Sequence, residues 1–535
     1  MHPDEHGGTG HRNHPDEHGG TGRRNHPDDH DDGALMERRI RRLGIVMVLC
    51  FLVLFVQLNN IQIVKANSLA TATNNPRVLA VARDDARGDI LSADGVVLAS
   101  SVPSNGYYKY QRIYNPNTAV LFSQIVGYDS IIYGKTGIED QYDSSLESHT
   151  RPAKTLRDLL VNRTTTGNVT LTISSTLQSQ VAQAVDNTDI KGSAPQAGAV
   201  VINIKTGAIE AMYSNPTFDP SPLVSPNIAM EKYAWAALDP QSAQSQLVSR
   251  TFQYGFLPGS TFKTVTSAAV YDHQPALAKL NVPVAGCISL EPQSNLPLCN
   301  YGHNGPNGPE HCGGVITVTL PASCDTAFAT LGMDLGGASL TAEAQAFGFN
   351  QNVPIDLPGA GMSKFPAGAS FNLNKPSQAY SAFGQQNVVA TALQMALVAD
   401  GIANRGVIMT PHVMRDIHDS SGTLITSYTP HPWLTATNPL TAAAVTSLMQ
   451  GVVTNGTATQ VGFPRPWNVA AKTGTAETGP NATLTNDWMI AFAPANDPKV
   501  AVAIVVPNQP GSDTGATVSG PPMKTILGDA LAVTP

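Results

Sequence analysis

The rhythm of apolar positions changes several times along the chain, and each rhythm predicts a different element. Leu43 to Leu58 is apolar except for Gln57, and Asn59–Val64 extends the run with mixed polarity. About 20 residues of this kind suit one membrane span. A buried core helix has the same composition, but Arg38, Arg39, Arg41 and Arg42 abut one end, which the positive-inside rule accounts for. The long segment before the run argues against a cleaved signal peptide. Residues 43–64 therefore read as a signal anchor, with the N-terminus cytoplasmic and everything after the anchor outside.

Beyond the anchor the periods are shorter. From Ala66 to about Thr166 short apolar runs alternate with turn residues, and Pro152 with the stretch 163–167 reads as a boundary. Val169, Leu171 and Ile173 alternate as a half-buried strand does, and Thr176–Val185 reads as a helix. Ala199–Ile204 and Ala208–Tyr213 flank Lys205-Thr206-Gly207, a hairpin whose glycine supplies the positive φ of a tight turn. Trp488–Phe492 and Val500–Val506 form a second hairpin around Ala495–Pro498. Helical patterns at Phe262–Tyr271, Ala322–Leu335 and Thr391–Ala403 lie between them. Strands at both ends with helices between predict an α+β domain whose sheet joins the two ends. The expected organisation is a tail over 1–42, the anchor over 43–64, a β-rich domain over 65–167 and a larger α+β domain over 168–535.

Charge changes this picture little. The net charge is −8, but residues 1–37 hold nine acids and three arginines, so the remainder sums to −2. No basic patch points to nucleic acid. The tail repeats His-Pro-Asp-Glu-His-Gly-Gly-Thr-Gly-His-Arg-Asn at His2–Asn13 and His14–Asn25. With almost nothing to bury, it reads as a solvated disordered tail, although paired histidines such as His14 and His18 are metal-ligand types. Cys287, Cys299, Cys312 and Cys324 crowd within 38 residues without a Cys-x-x-Cys pair. Outside the cytoplasm they read as one or two disulfide staples, with three full pairings open.

Candidate chemistry sits in three places. Ser260 and Lys263 lie three residues apart where a helical run begins, and among the fourteen lysines only Lys263 has a serine at that spacing. They share one helix face, and the helix start favours negative charge developing at the serine. Lys-Thr-Gly occurs at Lys135–Gly137, Lys205–Gly207 and Lys472–Gly474. The second is a hairpin turn, and only the third follows a strand-like stretch and runs on into Thr475. Lys472, Thr473, Gly474 and Thr475 are therefore the candidates for binding an anionic substrate. A serine with a polar partner two residues on is met at Ser323-Cys324-Asp325, just before a helix, and at Ser370-Phe371-Asn372 in a Pro/Gly-rich loop. The first is preferred.

These elements in this order resemble the penicillin-recognising serine enzymes. Arg87-Gly88-Asp89-Ile90, Asp94-Gly95, Gly137-Ile138-Glu139 and Tyr142 resemble the pedestal of class B penicillin-binding proteins. Leu171-Thr172-Ile173, Ser249-Arg250, and Phe383-Gly384-Gln385 with Leu393-Gln394-Met395-Ala396 resemble blocks of the transpeptidase domain. About 100 residues separate anchor and transpeptidase, so a class A glycosyltransferase domain is not expected there. The family's middle motif most often ends in asparagine, where this chain has Asp325; some elongation-type members look similar.

The resemblance implies a single-pass protein of the bacterial plasma membrane that cross-links peptidoglycan without a cofactor or metal. Its substrates are stem peptides ending in D-Ala-D-Ala, β-lactams acylate it, and a polytopic membrane glycosyltransferase is its partner. Ser260 is the implied nucleophile and Lys263 its base, with Lys472 keeping Lys263 neutral. Ser323 relays a proton to the departing D-alanine. Thr473 and Thr475 hold the substrate's carboxylate, Asp325 its amide, and the N–H groups of Ser260 and Thr475 form the oxyanion hole. A β-lactamase or sensor, a D,D-carboxypeptidase and an inactive scaffold share much of this constellation.

Overall fold

The computed structural model describes residues 31–61, 85–105, 108–150, 164–190, 196–302, 308–479 and 483–534. The His/Asp/Gly repeats of residues 1–30 lie outside them. The chain divides into two units, 1–75 and 76–535.

In the first unit one helix runs Asp31–Asn59. Its segment Arg38–Asn59 has a mean hydropathy of 2.1, and among the described residues it alone is long and apolar enough to cross a membrane. Apolar side chains such as Leu52, Phe55 and Val56 are exposed on it. The helix begins well before residue 43, the expected start of the anchor, because Ala34 to Arg42 are mostly strong helix formers with no proline or glycine among them.

The second unit is built on a five-stranded sheet in the order Ile209–Asn215, Ala197–Asn203, Val500–Pro510, Leu484–Ala493, Ala470–Thr478. Every neighbouring pair is antiparallel. The strands near the two ends of the chain pair directly, Val502 opposite Val201, which is the closure that the two hairpin patterns predict. Gly207 turns the first hairpin at φ +76°.

Alternation explains why these strands are apolar at nearly every position. Val200, Ile202, Ile490, Phe492, Ala503 and Val505 face one way, onto the fully buried helix Ala392–Ala403. Ala199, Val201, Met489, Ala491, Val502 and Ile504 face the other way. There they meet Leu177 and Val181 of Ser175–Asp186, and Met523 and Ile526 of Gly520–Val533. A sheet covered by helices on both faces has no solvated side on which polar residues can alternate.

A six-stranded sheet has the order Leu424–Ser427, Met414–Asp419, Gly167–Leu171, Ile90–Leu91, Val97–Pro103, Tyr110–Tyr114. Its middle strand straddles the expected boundary at 167/168, and its other strands come from both sides of it. Period-two alternation at Val169 and Leu171 announces a strand but not the sheet it joins.

Beside this sheet lies a buried ion cluster. Glu139, with no exposed surface, receives Arg87 Nε at 2.7 Å and Arg112 Nε at 2.6 Å on its two oxygens. Arg112 Nη1 also donates to the Gly88 carbonyl at 2.7 Å. Removing one member strands the other charges in a low-dielectric site. Glu139→Ala is expected to lower unfolding stability by about 3–5 kcal/mol, read from urea denaturation; a loss below about 1 kcal/mol would show that water re-enters and solvates both guanidinium groups.

Candidate active site

Ser260 is the second residue of a buried 3-10 turn, Gly259–Phe262, that opens directly into the helix Lys263–His273. In that geometry residues i and i+3 eclipse, so Ser260 and Lys263 stack on one side. Gly259 has φ +53°, and an added Cβ would sit 2.9 Å from Ala476. The turn is pressed against the edge strand Ala470–Thr478. Gly474 shows the same contact from the other side, since its Cβ would stand 2.9 Å from both the Pro258 carbonyl and Thr261 Cγ2. Only glycine at both positions brings the serine turn and the Lys-Thr-Gly strand this close.

The third wall is a turn whose residue Ser323 has φ +59°, a strained conformation for a side chain larger than glycine. The surroundings enforce it. Ser323 N–H donates to Leu320 O and Cys324 N–H to Thr319 O, both at 3.0 Å. Cys324 is disulfide-bonded to Cys312, and Cys287 to Cys299. Asn300, buried, accepts from Thr326 N–H at 2.9 Å and donates to Ala285 O and Glu310 O. The expected helix over Ala322–Leu335 accordingly starts at Asp325.

This turn brings both lysines onto one serine. Lys472 Nζ donates to Ser323 Oγ at 2.9 Å and to Thr473 O at 2.7 Å. Lys263 Nζ donates to Ser323 O at 2.5 Å, lies 3.4 Å from Ser323 Oγ, and forms an ion pair with Asp325 Oδ1 at 2.7 Å. Neither lysine has exposed surface. Burial lowers Lys263 from its ordinary value, and Asp325 opposes that shift. Lys472 is held well below its ordinary value, by burial and then by the charge of Lys263. Both lysines are therefore pushed toward the neutral form, and the carboxylate that opposes this is paired directly with Lys263.

Ser260, Ser323, Asp325, Thr473 and Thr475 all line one cavity of about 540 Å³. The buried Lys263 and Lys472 reach its wall through Ser323. Ser370, the rival of Ser323, is exposed, donates to Ala367 O at 2.6 Å and does not line the cavity. Lys135 joins Asp143 and Glu147 in the ion cluster near Arg87, and Lys205 lies in the hairpin turn. Sequence reasoning missed Thr457, Tyr301 and Glu310 on the cavity wall. Thr457 follows a helix in a short polar connection, where hydrophobic period carries no signal, and the other two belong to the loop stapled by the disulfides.

Two serines, Ser260 and Ser323, line the cavity, and two buried lysines converge on the second of them. The chain belongs to the penicillin-binding protein transpeptidase family. Residues 197–528 match the penicillin binding protein transpeptidase domain, and residues 87–169 match the penicillin binding protein A dimerisation domain. The chain is 34% identical over 513 residues to the peptidoglycan D,D-transpeptidase PbpA of Mycolicibacterium smegmatis, covering 93% of this chain and 99% of that one. PbpA of Mycobacterium tuberculosis is 32% identical with the same coverage. Among solved structures, the ceftriaxone acyl-enzyme complex of M. tuberculosis penicillin-binding protein A aligns with a TM-score of 0.73 and 30% identity, over 84% of this chain and all of that one.

Proposed function

We propose that this protein is a membrane-anchored, class B peptidoglycan D,D-transpeptidase that cross-links stem peptides through an acyl-enzyme on Ser260. The observation that carries the reading is the convergence of Lys263 and Lys472 on Ser323 at the wall of the cavity that Ser260 lines. The family match and the acyl-enzyme structures of the M. tuberculosis relative support it.

The donor's terminal carboxylate binds at Thr473 and Thr475 beside Lys472, with its amide against Asp325. An anion there favours a charged Lys472, and two cations flanking Ser323 repel. Binding therefore moves the proton from Lys263 through Ser323 to Lys472. Neutral Lys263 accepts the Ser260 proton as Oγ attacks the penultimate carbonyl. The N–H groups of Ser260 and Thr475 stabilise the oxyanion, at about 3–4 kcal/mol per donor. Ser323 passes a proton to the departing D-alanine, and an amine from a second stem peptide resolves the ester. The arginines at 38–42 hold the N-terminus in the cytoplasm, placing the site outside, where a polytopic membrane glycosyltransferase supplies nascent strands.

The test is product analysis with the full chain in detergent on lipid-linked strands whose stems end in D-Ala-D-Ala. Cross-linked dimers accompanied by released D-alanine are expected. D-alanine release without dimers would reassign the protein as a carboxypeptidase, and no release would leave a scaffold.

A further inference from the structure

Thr473 and Thr475 stand two apart on one strand, so their side chains leave the same face, and both line the cavity. A carboxylate only accepts hydrogen bonds, so a hydroxyl serves it only when its own proton points forward. For Thr475 this is arranged from behind. The Gly515 backbone N–H donates to Thr475 Oγ1 at 3.1 Å, occupying a lone pair and leaving the O–H to turn into the cavity. Gly515 is held there by close packing, since an added Cβ would lie 2.3 Å from the carbonyls of Gly474 and Trp488.

Thr473 is met by another hydroxyl, Thr457 Oγ1, at 2.6 Å. Either oxygen of such a pair can donate, so the direction depends on what fixes Thr457. Its backbone N–H donates to the Pro321 carbonyl at 3.1 Å. The preceding Gly456 packs so tightly on that carbonyl that an added Cβ would lie 2.4 Å from it. Pro321 leads into the turn that presents Ser323. Thr457 thus spans from the Ser323 turn to the strand of Lys472, with its hydroxyl aimed at Thr473.

We propose that Thr457 is a positioning residue for recognition of the donor's terminal carboxylate: its hydroxyl donates to Thr473 Oγ1, so that Thr473, like Thr475, delivers its proton to the anion. The proposal rests on the acyl-transfer reading above and adds to it a residue outside the three motifs.

The experiment compares acylation by benzylpenicillin with acylation by its methyl ester, which has no carboxylate, on the full chain and on Thr457→Val and Thr457→Ser. Each variant's acid-to-ester ratio comes from one preparation, so the folded fraction cancels. Thr457→Val is expected to lose roughly tenfold in second-order acylation by the acid. The loss should fall on the half-saturating concentration, with the ester unaffected, and Thr457→Ser should restore the ratio. If the valine variant does not fold, Thr457→Ala is read in the same way. An unchanged ratio, or an equal loss on acid and ester, would overturn the proposal by leaving Thr457 only a packing role. A wild type labelled by neither compound would remove the acyl-transfer reading itself, and the proposal with it.

Discussion

Ser260→Ala is expected to form no covalent adduct with a fluorescent penicillin, and its donor turnover should fall by on the order of 10⁴–10⁶, with Tm essentially unchanged. The geometry leaves the variant no substitute. The other serine on the cavity wall, Ser323, is held at φ +59° with Oγ on Lys472, the wrong partner and place for attack beside the turn at Gly259. Removing one oxygen from a turn packed through Pro258, Thr261 and Trp488 opens almost no cavity, so reversible β-lactam binding at Thr473 and Thr475 should survive. An adduct that persists on Ser260→Ala would transfer the nucleophile's role to Ser323 and sink the assignment. The wild-type adduct carries a second result: slow loss fits a transpeptidase, whereas rapid turnover would make the chain a β-lactamase.

Much of the fold was legible because its signals are local. The closing sheet announces itself through apolar runs at both ends of the chain and through Gly207, and Lys263 is singled out by its spacing from Ser260. What stayed hidden depends on tertiary contacts. The helix predicted from Ala322 starts only at Asp325, because Thr319, Leu320 and the Cys312–Cys324 disulfide hold Ser323 in a left-handed conformation. No propensity at Ser323 announces that. Four clustered cysteines do not state their pairing, since all three pairings bridge loops of ordinary length. Period two at Val169 does not reveal that its strand pairs with Ile90–Leu91 on one side and Met414–Asp419 on the other. The same blindness covers the electrostatics. A serine and two lysines read from sequence suggest that Lys472 represses Lys263. The ion pair to Asp325, which opposes this, becomes visible only when the turn places that carboxylate 2.7 Å from Lys263 Nζ.

That ion pair leads to the prediction with the clearest sign. Asp325→Asn keeps the side chain's shape and removes its charge, so Lys263 loses the interaction that opposes burial. A buried ammonium without its counterion sheds its proton more readily, and the Lys263 pKa should drop further. The base is the neutral form, whose fraction rises as the pKa falls. The acid limb of acylation should therefore move to lower pH, and on that limb Asp325→Asn should acylate faster, by about tenfold or more. The amide contact survives, because the carbonyl oxygen of the substituted side chain accepts from a substrate N–H as the carboxylate does. Second-order rate constants for benzylpenicillin between pH 5 and 9 on both proteins decide the matter. A limb that stays in place would show that Lys263 is not the titrating base. A shift to higher pH would show that Asp325 activates the serine directly, with Lys263 serving as its counterion. An acid-side gain would give the carboxylate a function: opposing the loss of the Lys263 proton, and so restraining the serine, until an anionic donor at Thr473 and Thr475 draws that proton across Ser323 to Lys472.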